Sequence, residues 1–136
     1  MTAPWALYVE TSAVLRAVLE RGTTPGVEAK IRGAKALFTS RLSVVEARRA
    51  FLRLRGTGRI PEKSLADAER EVEALWARCQ IWELTRAICD AASHVAPQKP
   101  LRTLDALHLA TFLAARRLID GLEMLTVDAR LLAALV

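Results

Sequence analysis

Four acidic residues are placed where they could work together. Glu10 follows the apolar run Ala6–Val9, and Asp128 comes two residues after Thr126 at the end of another short apolar stretch. Glu46 lies early in the segment opened by Ser43, and Asp105 opens the apolar stretch Ala106-Leu107-His108-Leu109-Ala110. A cluster of carboxylates offers oxygen ligands only, which favours hard ions such as Mg²⁺ or Mn²⁺ over zinc. Such an ion polarises a phosphate and lowers the pKa of a water that attacks it. Acids holding a metal in a basic chain suit a phosphodiester substrate, with arginines holding its backbone.

Each acid also has a structural role open to it. Ser43-x-x-Glu46 has the form of a capping box. Asp105 in a first helical turn complements the helix dipole. Asp128 could cap the last helix, and Glu10 could be a solvated turn residue. His108, three residues after Asp105, shares its helix face and could ligate metal or act as a base. A histidine in an apolar helix is more often a packed, hydrogen-bonded residue, and that role is favoured here. Trp76 and Trp82 fit core positions, and the three tryptophans form no ladder for stacking bases.

The elements that would bring these acids together can be read from periodicity. Ala6–Val9, Lys35–Thr39, Gln80–Leu84 and Leu122–Thr126 have the character of short buried strands. Between them run helical segments: Thr11–Arg21, Val27–Arg32, one opening at Ser43, one opening at Pro61, Thr85–Val95 and Thr103–Arg117, with Ala129–Leu135 last. In that register Glu46 falls in the first turn of its helix. Strands alternating with helices build a parallel sheet covered on both faces. Sites in such sheets gather beyond the carboxyl ends of the strands, where all four acids can converge.

Composition narrows the class. A chain of 136 residues that is 52% hydrophobic can bury a core as one domain, residues 1–136. Twenty Lys and Arg against 15 Asp and Glu give a net charge of +5, which favours polyanionic partners such as nucleic acid. Cys79 and Cys89 cannot build a disulfide scaffold or a zinc site alone. No leader-like start and no long apolar run is present, so a cytoplasmic protein without a membrane span is expected.

Four blocks of this chain resemble, in order, the sequence blocks of PIN domains. They are Tyr8-Val9-Glu10-Thr11-Ser12-Ala13, Ser40-Arg41-Leu42-Ser43-Val44-Val45-Glu46, Leu101 to Ala110 around Asp105, and Leu125-Thr126-Val127-Asp128-Ala129-Arg130-Leu131. The nearest subgroup is the VapC-type toxins of toxin–antitoxin pairs. The resemblance implies a three-layer α/β/α fold with a central parallel sheet of four or five strands. It implies a Mg²⁺- or Mn²⁺-dependent endoribonuclease that acts on RNA, forms a homodimer and is inhibited by a small antitoxin. Carried over residue by residue, Glu10, Glu46, Asp105 and Asp128 would hold metal, and Thr11 and Ser12 would orient a ligand or water. Arg16, Arg41 and Arg102 are candidates for RNA contacts.

Two departures stand out. The family's first acid is normally Asp, whereas this chain has Glu10, one methylene longer. An ion with strict geometry feels such a change. That leaves open a second expectation, a PIN-fold binding module with little catalysis. The family often adds a short final strand, and the sequence leaves little room for one after the fourth block. A phosphatase or DNA nuclease on a similar sheet is a more distant possibility, disfavoured by the lack of a D-x-D motif after the first strand.

Overall fold

The computed structural model describes residues 4–135. Four short strands, β1 (Ala6–Val9), β2 (Ala36–Ser40), β3 (Cys79–Trp82) and β4 (Glu123–Leu125), form one sheet in the order β3-β2-β1-β4. All three pairings are parallel, with Leu7 beside Leu37, Val9 beside Leu125 and Phe38 beside Gln80. Seven helices connect and cover them: α1 (Thr11–Leu19), α2 (Pro25–Gly33), α3 (Arg41–Thr57), α4 (Glu62–Arg78), α5 (Arg86–Ala92), α6 (Thr103–Leu118) and α7 (Ala129–Ala134).

The period-two geometry of a strand divides the core into two halves. Leu7, Val9 and Leu37 point to one face, where they pack with Ala13 and Val14 of α1, Ile31 of α2, Ala47 and Phe51 of α3, and Leu65, Val72 and Trp76 of α4. Ala6, Tyr8 and Phe38 point to the other, against Leu109, Phe112 and Ala115 of α6 and Leu131 of α7. Trp76 is buried as expected, whereas Trp82 is only half-buried and packs at the edge of the second cluster. Helices on both sides of a parallel sheet make this the three-layer α/β/α architecture, with four strands among the described residues.

Several boundaries differ from the sequence expectation. Helix α1 stops at Leu19 rather than Arg21, and α2 begins at Pro25 and runs through Gly33. Strand β3 begins at Cys79 and ends at Trp82, two residues short of Leu84, because Thr85 caps α5 through Ile88 N–H at 3.2 Å. Helix α5 ends at Ala92, not Val95. Strand β4 spans Glu123–Leu125 and α7 ends at Ala134.

The boundary that matters most is that of α3. Strand β2 runs through Ser40, whose Oγ accepts the Leu42 N–H at 3.0 Å, and the helix starts directly at Arg41. Ser43 is therefore inside the helix, and its Oγ accepts from Thr39 Oγ1 at 2.8 Å. The Ser43–Glu46 capping box does not form. Glu46 lies in the second turn of α3, not the first, which frees its carboxylate to reach across to neighbouring elements.

Candidate metal centre

The sheet order places β1 at its centre, with β2 on one side and β4 on the other. The chain reverses direction of travel across the sheet at β1, and the crevice beyond the carboxyl ends opens there. A cleft of about 560 Å³ occupies that position, lined by Glu10, Thr11, Ser12, Glu46, Arg53, Arg102, Asp105 and Asp128 among others. All four acids line it, although they come from the position after β1, from α3, from α6 and from the loop after β4.

Glu10 is not a solvated turn residue. It is 5% exposed, and its backbone N–H is tied to the Leu125 carbonyl at 3.0 Å. It serves as N-cap of α1: Oε2 accepts the Ser12 N–H at 3.1 Å. Oε1 accepts from Thr126 Oγ1 at 2.6 Å and from the Ser12 hydroxyl. The extra methylene of Glu thus lets one carboxylate cap a helix and reach the end of β4.

Glu46 is gripped at one oxygen. Thr11 Oγ1 donates to Oε1 at 2.7 Å, and His108 Nε2 lies 2.6 Å from the same oxygen. Oε2 takes no hydrogen bond among the described residues. Burial pushes the Glu46 carboxyl up. The His108 hydrogen bond and charge, the Thr11 hydroxyl and the Arg102 charge outweigh it and hold the group below its ordinary value.

Asp105 and Asp128 share a cation. Asp105 lies in the first turn of α6, 5% exposed, and its Oδ2 accepts from the Arg102 backbone N–H at 3.3 Å and from Arg102 Nε at 3.2 Å. Asp128 caps α7, with Oδ1 accepting from the Arg130 and Leu131 N–H groups at 2.9 and 3.1 Å. Its second oxygen is 3.6 Å from Arg102 Nη2. The structural and the site roles of these acids therefore coexist: Asp105 Oδ2 and Asp128 Oδ1 hold helix ends while both residues line the cleft.

Three of the residues singled out by sequence behave differently. Arg102 lines the cleft. Arg41 pairs with Glu83 through two hydrogen bonds of 2.9 and 2.6 Å, and Arg16 pairs with Glu20 at 3.0 Å; neither lines the cleft. His108, favoured as a packed residue, is indeed buried at 1% exposure, yet it contacts the site directly through Glu46. Thr126, Tyr8 and Arg53 also surround the site. Thr126 sits in the fourth block, where its strand-end position was the available signal. Tyr8 is buried in the sheet, and burial followed by the nearby charges of Glu10 and Glu46 raises its phenol well above the ordinary value.

The donor set fits a divalent cation. Four carboxylates face one cleft, and Arg102 pairs with two of them, Asp105 and Asp128. Carboxylates gathered at this density repel one another unless further positive charge is supplied. Ligand atoms of Glu10, Glu46 and His108 lie within 4.8 Å of one another, whereas Asp105 and Asp128 line the same cleft without joining that group.

The PIN domain model matches residues 7–134. The chain belongs to the PIN-domain family. Among curated PIN-type relatives, ribonucleases VapC45 and VapC49 of Mycobacterium tuberculosis are each 34% identical over 108 residues, covering 79% of this chain and 75% of theirs. Solved structures share the fold. PAE2754 from Pyrobaculum aerophilum superposes with a TM-score of 0.66 at 22% identity, covering 95% of this chain and 78% of that one. Mycobacterium tuberculosis VapC20, described as a sarcin–ricin-loop-cleaving toxin, gives 0.66 at 15% identity with 94% of each chain covered. VapBC2 from Rickettsia felis, bound to a DNA fragment from their promoter, gives 0.60 at 10% identity, covering 90% of this chain and 99% of that one. PIN nucleases depend on metal, and the acidic cluster of this PIN domain is where one would bind.

Proposed function

We propose that this chain is a metal-dependent endoribonuclease and the toxin of a toxin–antitoxin pair. The observation that carries the reading is the convergence of Glu10, Glu46, Asp105 and Asp128 on one open cleft in a PIN-family chain whose relatives are named ribonuclease VapC. Glu10, Glu46, Asp105 and Asp128 would hold the ion. Hard oxygen donors favour Mg²⁺, with Mn²⁺ as a substitute. When bound, the ion supplies Lewis-acid polarisation of the phosphate and a lowered pKa for the attacking water.

The protein's own groups do the rest. Thr11 fixes the Glu46 carboxylate and Ser12 fixes that of Glu10, so neither acid must reorganise as substrate arrives. Arg102 stands between Asp105 and Asp128, and Arg53 stands on the rim of the same cleft. Both guanidiniums can engage an RNA backbone phosphate bidentately. The cleft is open, as a polymer substrate requires.

Partners and location are part of the same proposal, and relatives named ribonuclease VapC support it. A small antitoxin inhibits the chain, and the toxin itself forms a homodimer in the cytoplasm. No helix among the described residues is long and apolar enough to cross a membrane. Glu10 is built into the site by three hydrogen bonds rather than displaced from it, which supports the catalytic over the binding-module reading.

The test is direct. Purified protein is incubated with total RNA in Mg²⁺, in Mn²⁺ and in EDTA. Cutting that needs either ion and stops with EDTA is expected. Intact RNA in both metals overturns the reading. Size-exclusion chromatography with light scattering checks the dimer.

A further inference from the structure

Buried beneath the acids is a chain of polar groups that reaches back into the sheet. The Tyr8 hydroxyl lies 2.9 Å from His108 Nδ1, and His108 Nε2 lies 2.6 Å from Glu46 Oε1. Tyr8 is 0% exposed and His108 is 1% exposed. The two rings meet edge to face, with centroids 6.2 Å apart at 80°, and Phe112 packs on Tyr8 in the same manner at 5.9 Å. The contacts with Tyr8 and Glu46 together set which ring nitrogen faces which partner.

That orientation dictates where its protons sit. An ionised carboxylate only accepts hydrogen bonds. At 2.6 Å from Glu46 Oε1, Nε2 must carry a hydrogen, since two lone pairs would otherwise face each other. Nδ1 is the nitrogen left to face Tyr8, whose hydroxyl lies 2.9 Å from it. The same nitrogen that faces Glu46 is also 4.0 Å from Glu10 Oε2, so the ring stands beside both acids with its Nε2–H toward them.

We propose that His108 is a positioning residue, held with its Nε2–H toward Glu46 by the contact of Nδ1 with Tyr8, that aims Glu46 at the cation. The consequence is visible at Glu46. Its Oε1 is fully engaged by His108 and Thr11, and Oε2 is the oxygen left for an ion. Outer groups of this kind fix a ligand's orientation before the metal arrives. The inference rests on the metal-dependent reading of the site. It differs from direct ligation by His108, which would require Nε2 to give up its hydrogen and its bond to Glu46.

The tautomer is read first, on metal-free protein with ¹⁵N-labelled histidine, by long-range ¹H–¹⁵N correlation. A protonated Nε2 is expected; a bare Nε2 overturns the proposal. Mn²⁺ alone is then titrated by calorimetry into wild type and variants, with thermal melts alongside. His108→Leu should weaken Mn²⁺ binding about 10- to 100-fold, the usual range for loss of an outer partner. His108→Gln keeps an N–H able to reach Glu46 and should restore most of the affinity, whereas a direct ligand would not be so replaced. A Gln variant as weak as the Leu variant, at an unchanged melting temperature, overturns the proposal. Should His108→Leu not fold, Tyr8→Phe carries the comparison. It should lose about three- to tenfold, as for one neutral hydrogen bond, and no loss overturns the relay. RNA cleavage by these variants should fall in kcat with KM little changed. If wild type neither binds Mn²⁺ nor cuts RNA, the ribonuclease reading fails, while the tautomer measurement still decides the relay.

Discussion

The hydroxyl of Thr126 donates to Glu10 Oε1 at 2.6 Å, joining the end of the last strand to the end of the first. Thr126 is 6% exposed and Glu10 is 5% exposed, so this bond is made away from water. Thr126→Val keeps the shape and removes the donor. It should cost about 1.5–3 kcal/mol in urea unfolding, because a buried carboxylate loses one of the two hydroxyls that donate to its Oε1. Glu10→Asp shortens the side chain and withdraws it from Thr126. Cleavage by that variant should be no higher than wild type, which an RNA-cutting assay checks; a large gain would mark Glu10 as an impairment.

Asp128 offers a way to separate a cap from a site. Its Oδ1 caps α7 and its Oδ2 faces Arg102. Asparagine caps helices about as well as aspartate. Asp128→Asn should therefore leave the melting temperature close to wild type while RNA cleavage falls sharply. Asp128→Ala should lose both, with about 1 kcal/mol of stability gone. Equal stability losses in the two variants would contradict the divided role.

The arginines differ in what they can do for RNA. Arg102 lines the cleft beside Asp105 and Asp128, whereas Arg41 is tied to Glu83 and does not line it. Arg102→Gln should weaken RNA binding and reduce the salt slope of binding by about one, the mark of one lost phosphate contact. Arg41→Gln should leave that slope unchanged. Binding is measured with Ca²⁺ in place of Mg²⁺ over a range of KCl concentrations.

The depressed pKa of Glu46 links the site to acid stability. Burial opposes ionisation, but His108, Thr11 and Arg102 outweigh it in the folded protein. A folded-state value below the unfolded one, about 4.3 for Glu, means that folding favours the ionised form. The stabilisation is present above that pH and is lost as pH falls through the lower folded value. Urea unfolding of metal-free protein at decreasing pH should show wild-type stability dropping there, and Glu46→Gln should flatten that part of the curve. An unchanged slope in the variant would show that Glu46 does not couple to folding.

Sequence alone determined the alternation of strands and helices, because apolar runs of four or five residues between amphipathic stretches can be buried only in a covered parallel sheet. It also determined the positions of Glu10, Asp105 and Asp128, since each stands immediately beside a strand end or a helix start that local patterning marks. Glu46 was found in the right block but in the wrong turn. The competition between Ser40 and Ser43 for the cap was decided by how far β2 continues alongside its neighbours, which is a tertiary matter. His108 was ambiguous for the same reason. An apolar helix explains a buried histidine, and only the register of α6 against β1 and α3 shows that its two nitrogens meet Tyr8 and Glu46, 100 and 62 positions away. The arginines were least legible. Among the described residues six of their ion pairs are to glutamates, and only packing decided that Arg102 faces the acids of the cleft while Arg41 turns to Glu83. Hydrogen bonds between distant side chains depend on contacts that no local pattern encodes, so the acids were written in the chain and the groups that hold them were set by the fold.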